Sequence, residues 1–437
     1  MADIEETKNW ILNTVWPEIL KGGKLNKCSK NSEKLSENNE FTVLDVIINP
    51  ISIEEAFMLT SCYRVRIDYT CNGETKSLSL VAKRTPIDIT PENYEAVNFD
   101  SLFQNEVVAY NEIIPTLMNL SEPNKSEISL PTYFYSNITE TEASIVLGDF
   151  KEDGFQLSPT RFNLSLEHIL RGVEHIGFFH GLCYALKELN KKKFDHIVSL
   201  AKESRYVKPP PETWDALGPI TIERLTQATD KFYPEFPKDF QDKLKQLLTS
   251  NYEYSKKRVQ PIEPYATLCH GDYLRNNIAF AYEDYENPTV PKKAMMFDFQ
   301  TLRYSSPMVD LTTFLNISAG KDVRVPHFDE IFDTYHKKLI LTFEEQTRKE
   351  IPEFMSKPNM LKEYVRYLPY SLSIASFFLP NMHEPNNLFA TMLGDFDLEK
   401  LRAGLMALGG DSADMEIASL QKELYEFAVK ENINIFE

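Results

Sequence analysis

Residues 268–280 read Leu-Cys-His-Gly-Asp-Tyr-Leu-Arg-Asn-Asn-Ile-Ala-Phe, and the apolar run Ala294-Met295-Met296-Phe297 leads into Asp298-Phe299-Gln300. The pairing sets Asp272, Asn277 and Asp298 in the order that phosphoryl transfer requires. That reaction leaves a protein little covalent work. It needs a carboxylate to orient and deprotonate the attacking hydroxyl, and hard oxygen ligands to hold magnesium against nucleotide phosphates. Each residue alone has an ordinary use: Asp272 as a turn residue after Gly271, Asn277 as a turn cap, Asp298 as a helix cap. Their register favours the chemical reading, with Asp272 as catalytic base and Asn277 and Asp298 as magnesium ligands. The adjacent Asn276 competes with Asn277 for the inward position, and the motif alone assigns that place to Asn277.

The step of five residues from Asp272 to Asn277 is that of the kinase catalytic loop, from its aspartate to its metal-binding asparagine. Upstream, Tyr63, Val65, Ile67 and Tyr69 alternate with Arg64, Arg66 and Asp68, which predicts a half-buried strand. Asn72-Gly73 supplies the positive φ angles of a tight hairpin turn. The return strand, 76–84, carries Lys83 near its end. A helix is expected over 100–117 with Glu106 on it, and two more strands within 128–147. This order suits a small lobe in which Lys83 reaches nucleotide phosphates and is held by Glu106.

Further signals come from the remainder of the chain. Residues 4–20 have helical spacing and stop at Gly22-Gly23; 24–40 are polar and read as loop; Gly148-Asp149 begins a hinge. A long helix is expected over 164–189, another around Phe240, Leu244, Leu247 and Leu248, and several after Asp310. His168, His175 and His180 share one helix without a Glu or Cys spacing that completes a zinc site, so His180, like His270, is read as structural. The formal charge of −18 argues against a nucleic-acid partner. Five scattered cysteines without a Cys-x-x-Cys suggest a reducing compartment. No signal peptide and no run of eighteen apolar residues is read, so a cytoplasmic protein without a membrane span is expected.

The His-Gly-Asp-x-x-x-x-Asn loop with the later Asp-Phe-Gln resembles the aminoglycoside/choline phosphotransferase branch of the protein-kinase-like fold. Within it the chain resembles the ecdysteroid-kinase-like (CHK-kinase-like) family of insects. Val81-Ala82-Lys83-Arg84-Thr85-Pro86, Phe103-Gln-Asn-Glu106 with Tyr110 and Pro115, Phe178-Phe-His180, and Pro307 with Asp310-Leu311 extend the match from about residue 43 to 315. The resemblance implies an α+β bilobal fold, with a small mixed lobe over 1–147 and a mainly helical lobe over 148–437. It implies ATP and Mg2+ as cofactors, Lys83, Glu106 and Asp149 on the nucleotide side, and Asp310 bracing the catalytic loop. The acceptor it implies is an ecdysteroid or another hydroxylated lipophile or xenobiotic. A pseudokinase, and a kinase for a polar acceptor such as choline or an aminoglycoside, stay open. Three departures stand out: the phosphate-loop region 52–61 contains no glycine, Gly148 replaces an acid before the hinge aspartate, and Leu274 stands where the family often has Trp.

Overall fold

The computed structural model describes residues 2–23, 25, 40–52, 60–120, 128–209, 215–284, 288–384 and 397–436. Most of the polar stretch 24–40, and residues 53–59 of the glycine-free loop, lie outside them. The fold is α+β, with a small antiparallel sheet lobe and a larger helical part.

The small lobe is a five-stranded sheet of β1 (Phe41–Pro50), β2 (Ser61–Cys71), β3 (Glu74–Arg84), β4 (Tyr133–Ile138) and β5 (Ala143–Gly148), in the order β1-β2-β3-β5-β4. The expected hairpin joins β2 to β3, with Asn72 and Gly73 at φ +51° and +85°. Period two along β3 decides what faces where. Leu80 and Ala82 pack with Ile11, Val15, Trp16 and Ile19 of the N-terminal helical segment. Val81 and Lys83 therefore point the other way and line the cleft. The register pairs Lys83 with Cys62 on β2 and with Ile145 on β5, so the lysine sits on a central strand, not an edge.

The helix Phe99–Val108 buries Phe99, Leu102, Phe103 and Glu106, an i, i+3, i+4, i+7 stripe. A helical core stripe normally ends in apolar side chains, and here its last member is a carboxylate. The helical stretch expected over 100–117 is present, with a π-helical turn at Ala109–Ile113.

In the large lobe the helices Leu166–Leu189 and Lys321–Thr347 lie against each other. Gly181 permits that approach, since a Cβ there would sit 2.8 Å from Leu339 O and 2.7 Å from Thr342 Cβ. Two small sheets frame the catalytic loop. β7 (Thr267–Cys269) pairs with β10 (Arg303–Ser305), and β8 (Ile278–Tyr282) lies between β6 (Phe155–Leu157) and β9 (Pro291–Met296). The loop of Asp272 runs from β7 to β8, and Asp298 follows β9. Among the described residues no helix is long and apolar enough to cross a membrane.

Candidate active site

Strand register brings the sequence motifs together. Ile278 pairs with Met296, and Phe297 N donates to Asn277 O at 3.1 Å. Asn277 and Asp298 are therefore neighbours across one ladder. The Asn277 amide nitrogen donates to Asp272 O at 2.9 Å and to Asp272 Oδ2 at 3.1 Å. The adjacent Asn276 accepts from Arg275 Nη1 at 3.3 Å, so the two asparagines have separate tasks. Asp298 has φ +65°, a left-handed conformation uncommon outside glycine. Its carboxylate accepts from Lys83 Nζ at 2.8 Å.

Lys83 Nζ also donates to Glu106 Oε2 at 2.8 Å. Lysine and glutamate are 8% and 1% exposed, so the pair is buried. Burial alone would push the lysine down, but the Asp298 and Glu106 carboxylates more than offset it and hold Lys83 cationic. Burial pushes Glu106 up to about 7 against the opposing pull of Lys83. Gln300 joins this group. With its amide set by the hydrogen-bond network, its nitrogen donates to Asp298 Oδ1 at 3.3 Å and its oxygen accepts from Lys83 at 3.0 Å. A double-mutant cycle on ATP affinity (Lys83→Met, Glu106→Gln and both) should show a coupling of about 0.5–3 kcal/mol. Additive single effects in calorimetric titration would contradict the pair.

The catalytic loop is held from beneath. Asp310, in the first turn of the helix Met308–Ser318, accepts from His270 N at 2.8 Å and from Gly271 N at 2.7 Å. His180 Nε2 lies 3.0 Å from Asp310 Oδ2, and its Nδ1 lies 3.0 Å from the Tyr335 hydroxyl. His270 Nε2 lies 2.9 Å from Phe297 O, which ties the loop to the β9 end. Both histidines thus have hydrogen-bond partners within the protein. His180, Cys269 and Asp310 bring potential ligand atoms within 4.8 Å of one another. These atoms already have partners. Burial pushes the Cys269 thiol well up, and it donates to Ser306 O at 3.2 Å.

Gly271 has φ +84°, and a Cβ there would lie 1.9 Å from Thr301 O. Gly271→Ala should destabilise the protein by about 2 kcal/mol or more, because left-handed strain and overpacking add. Thermal unfolding checks this, and an unchanged midpoint would mean the loop can relax away from Thr301.

Lys83, Glu106, Asp272, Asn277 and Asp298 all line one cavity of about 410 Å³. Asp149 is placed differently from these five. Its neighbours Gly148 and Phe150 line the cavity. Its own carboxylate caps the turn Phe150–Asp153 through Lys151 N at 3.0 Å and lies 3.4 Å from Arg64 Nε. One further group came with no sequence motif: Arg205, whose Nη2 donates to Asp272 Oδ1 at 3.2 Å. It sits 67 residues before its partner, and no spacing rule connects them.

A central-strand lysine paired with a helix glutamate faces an aspartate, an asparagine and a second aspartate across one cleft. The sequence profile of the ecdysteroid kinase-like family matches residues 54–347, more than half of the chain, and the chain belongs to that family. No curated protein sequence matches it. Solved structures similar to it include aminoglycoside-3'-phosphotransferase of type VIII, at 13% identity and TM-score 0.35, covering 76% of this chain and 94% of that one. Another is APH(2")-IIia in complex with GDP and kanamycin, at 12% identity and TM-score 0.33, covering 89% and 94%. A third is the AMP-bound spectinomycin phosphotransferase APH(9)-Ia, at 15% identity and TM-score 0.33, covering 81% and 90%.

Proposed function

We propose that the protein is an ATP-dependent kinase that phosphorylates a hydroxyl of a small apolar molecule, an ecdysteroid or another hydroxylated lipophile or xenobiotic. The lining of the cavity supports this acceptor class. Beyond the Lys83–Asp298 end its walls include Val97, Leu102, Leu217, Ile374, Phe377 and Phe378. Among the described residues its carboxylates are Glu106, Asp272 and Asp298, and its cations are Arg64, Lys83, Arg205 and Lys208. Each carboxylate has a task in the transfer reaction. None is left over for a polycationic acceptor, which would need paired charges to offset its desolvation.

In this reading Asp272 accepts the hydroxyl proton while the acceptor oxygen bonds to the γ-phosphorus. The bond from that phosphorus to the bridging oxygen breaks, and ADP leaves. Lys83, held by Glu106, binds the nucleotide phosphates. Asn277 and Asp298 offer the hard oxygen donors that magnesium prefers. With its amide nitrogen turned to Asp272, Asn277 has its oxygen to give. Magnesium, when bound, would neutralise charge on the phosphates. Asp149 acts on the nucleotide end indirectly, through the hinge turn and Arg64. The proposed division of labour gives the nucleotide phosphates to 1–147, and the catalytic loop, metal ligands and acceptor to 148–437. The four described cysteines are unpaired, which suits a cytoplasmic location.

The test is phosphate transfer from ATP to an ecdysteroid, a plant phenolic glycoside, choline and kanamycin. Turnover of either of the first two is expected. Turnover of only the last two would overturn the acceptor class, and turnover of none would favour a binding protein without catalysis.

A further inference from the structure

We propose that Arg205 is a positioning residue of the transfer site, a guanidinium that fixes the Asp272 carboxylate toward the acceptor hydroxyl. The inference rests on reading Asp272 as the proton acceptor. Two donors take the two carboxylate oxygens: Arg205 Nη2 lies 3.2 Å from Oδ1, and Asn277 Nδ2 lies 3.1 Å from Oδ2. A carboxylate gripped at both oxygens cannot turn about its side-chain bonds without breaking one grip. Asn277 belongs to the loop motif, whereas Arg205 comes from outside it.

The loop itself offers no cation for this task. Leu274, two positions after Asp272, is apolar and 1% exposed. Arg275 is committed elsewhere, to Thr160 O at 2.9 Å and Ser158 O at 2.7 Å. Lys83 is engaged with Glu106 and Asp298. Arg205 fills the remaining place and lines the same cavity as Asp272.

The segment carrying Arg205 has no helix or strand of its own, yet it is tied at nearly every residue. Asn105, adjacent to Glu106, donates to Lys202 O at 2.7 Å and accepts from Lys202 N at 2.8 Å. Asn98 donates to Ser204 O at 3.0 Å, and Ser204 Oγ donates to Gln300 O at 3.1 Å. Glu203 accepts from Arg205 N at 2.8 Å and from Arg303 Nη2 at 3.3 Å. Irregular backbone held from the Glu106 helix, the Asp298 loop and β10 at once is costly to order. Holding one side chain against the catalytic base gives that arrangement a purpose. Burial works against the Arg205 charge, and Asp272, with smaller help from Tyr206 and Tyr370, more than offsets it.

Arg205→Ala and Arg205→Lys should be compared with wild type on an acceptor that wild type phosphorylates. With the carboxylate released, kcat for Arg205→Ala should fall by roughly 10²-fold, the scale of a small misplacement of a reacting group. KM for ATP should stay unchanged. Added guanidinium should restore part of kcat in Arg205→Ala and none in Asp272→Asn, whereas a purely structural defect would not respond to it. Arg205→Lys, with a point charge in place of the fork, should fall between. Crystal structures of wild type and Arg205→Ala with magnesium and a non-hydrolysable ATP analogue should place the Asp272 carboxylate differently. A wild-type kcat in Arg205→Ala, or a raised acceptor KM at unchanged kcat, would overturn the positioning role. If wild type phosphorylates no acceptor, the functional reading fails, and the crystallographic pair still decides: an unmoved Asp272 carboxylate refutes the role of Arg205.

Discussion

Asp272→Asn is expected to lower turnover by roughly 10²–10⁴-fold, the usual contribution of a positioned general base, while ATP affinity stays close to that of wild type. The substitution keeps the shape of the side chain, although its amide nitrogen gives up the hydrogen bond from either Arg205 Nη2 or Asn277 Nδ2. It replaces one carboxylate oxygen by a nitrogen that cannot take the acceptor proton. Asp272 touches neither Lys83 nor Glu106, and Asp310, not Asp272, receives the His270 and Gly271 amides. The loop should therefore keep its course. Steady-state kinetics read the loss, and calorimetric titration of ATP reads the retained affinity. Wild-type turnover in the variant would remove Asp272 from the chemistry.

The second large effect is expected at Asp298. A metal clamp on the transferring phosphates is worth several kcal/mol, so Asp298→Ala should lower kcat/KM by roughly 10³-fold. It should also abolish the magnesium dependence of ATP binding. Asp298 is the member of the proposed metal pair that carries charge, while Asn277 offers a neutral oxygen, so Asn277→Ala should weaken the dependence without removing it. Titrations of ATP with and without magnesium separate the two variants. Magnesium dependence retained in Asp298→Ala would place the metal elsewhere.

How much of this was legible in the sequence varied with physical cause. β2 announced itself because one face is core and the other polar, and the turn at Asn72-Gly73 needs residues that tolerate positive φ. β1 did not, because it is apolar on both faces: Val46 and Ile48 are buried while Leu44 and Ile47 remain 55% and 42% exposed. β7 and β10 span three residues each, too few for any period to register. The meeting of Asp272 and Asn277 was legible because local geometry fixes their spacing. The brace from Asp310 was implied by the family resemblance and not by spacing, and its carboxylate receives the His270 and Gly271 amides. Arg205 was not legible, since its contact with Asp272 depends on the path of an irregular segment anchored by Asn98, Asn105 and Gln300. The same limit applies to the acceptor walls, where Leu217 and Phe377 meet only through helix packing. Asp149 directly follows β5, and the direction of its carboxylate is set by the cap to Lys151, which spacing does not encode.

The most direct test of the account is transfer of labelled γ-phosphate from ATP to an ecdysteroid, followed in wild type with and without magnesium and in Asp272→Asn. The account predicts one phosphate ester per ADP released, formed only with magnesium and slowed by the roughly 10²–10⁴-fold expected for loss of the base. Phosphorylated product formed equally fast by Asp272→Asn, or formed without magnesium, would contradict it.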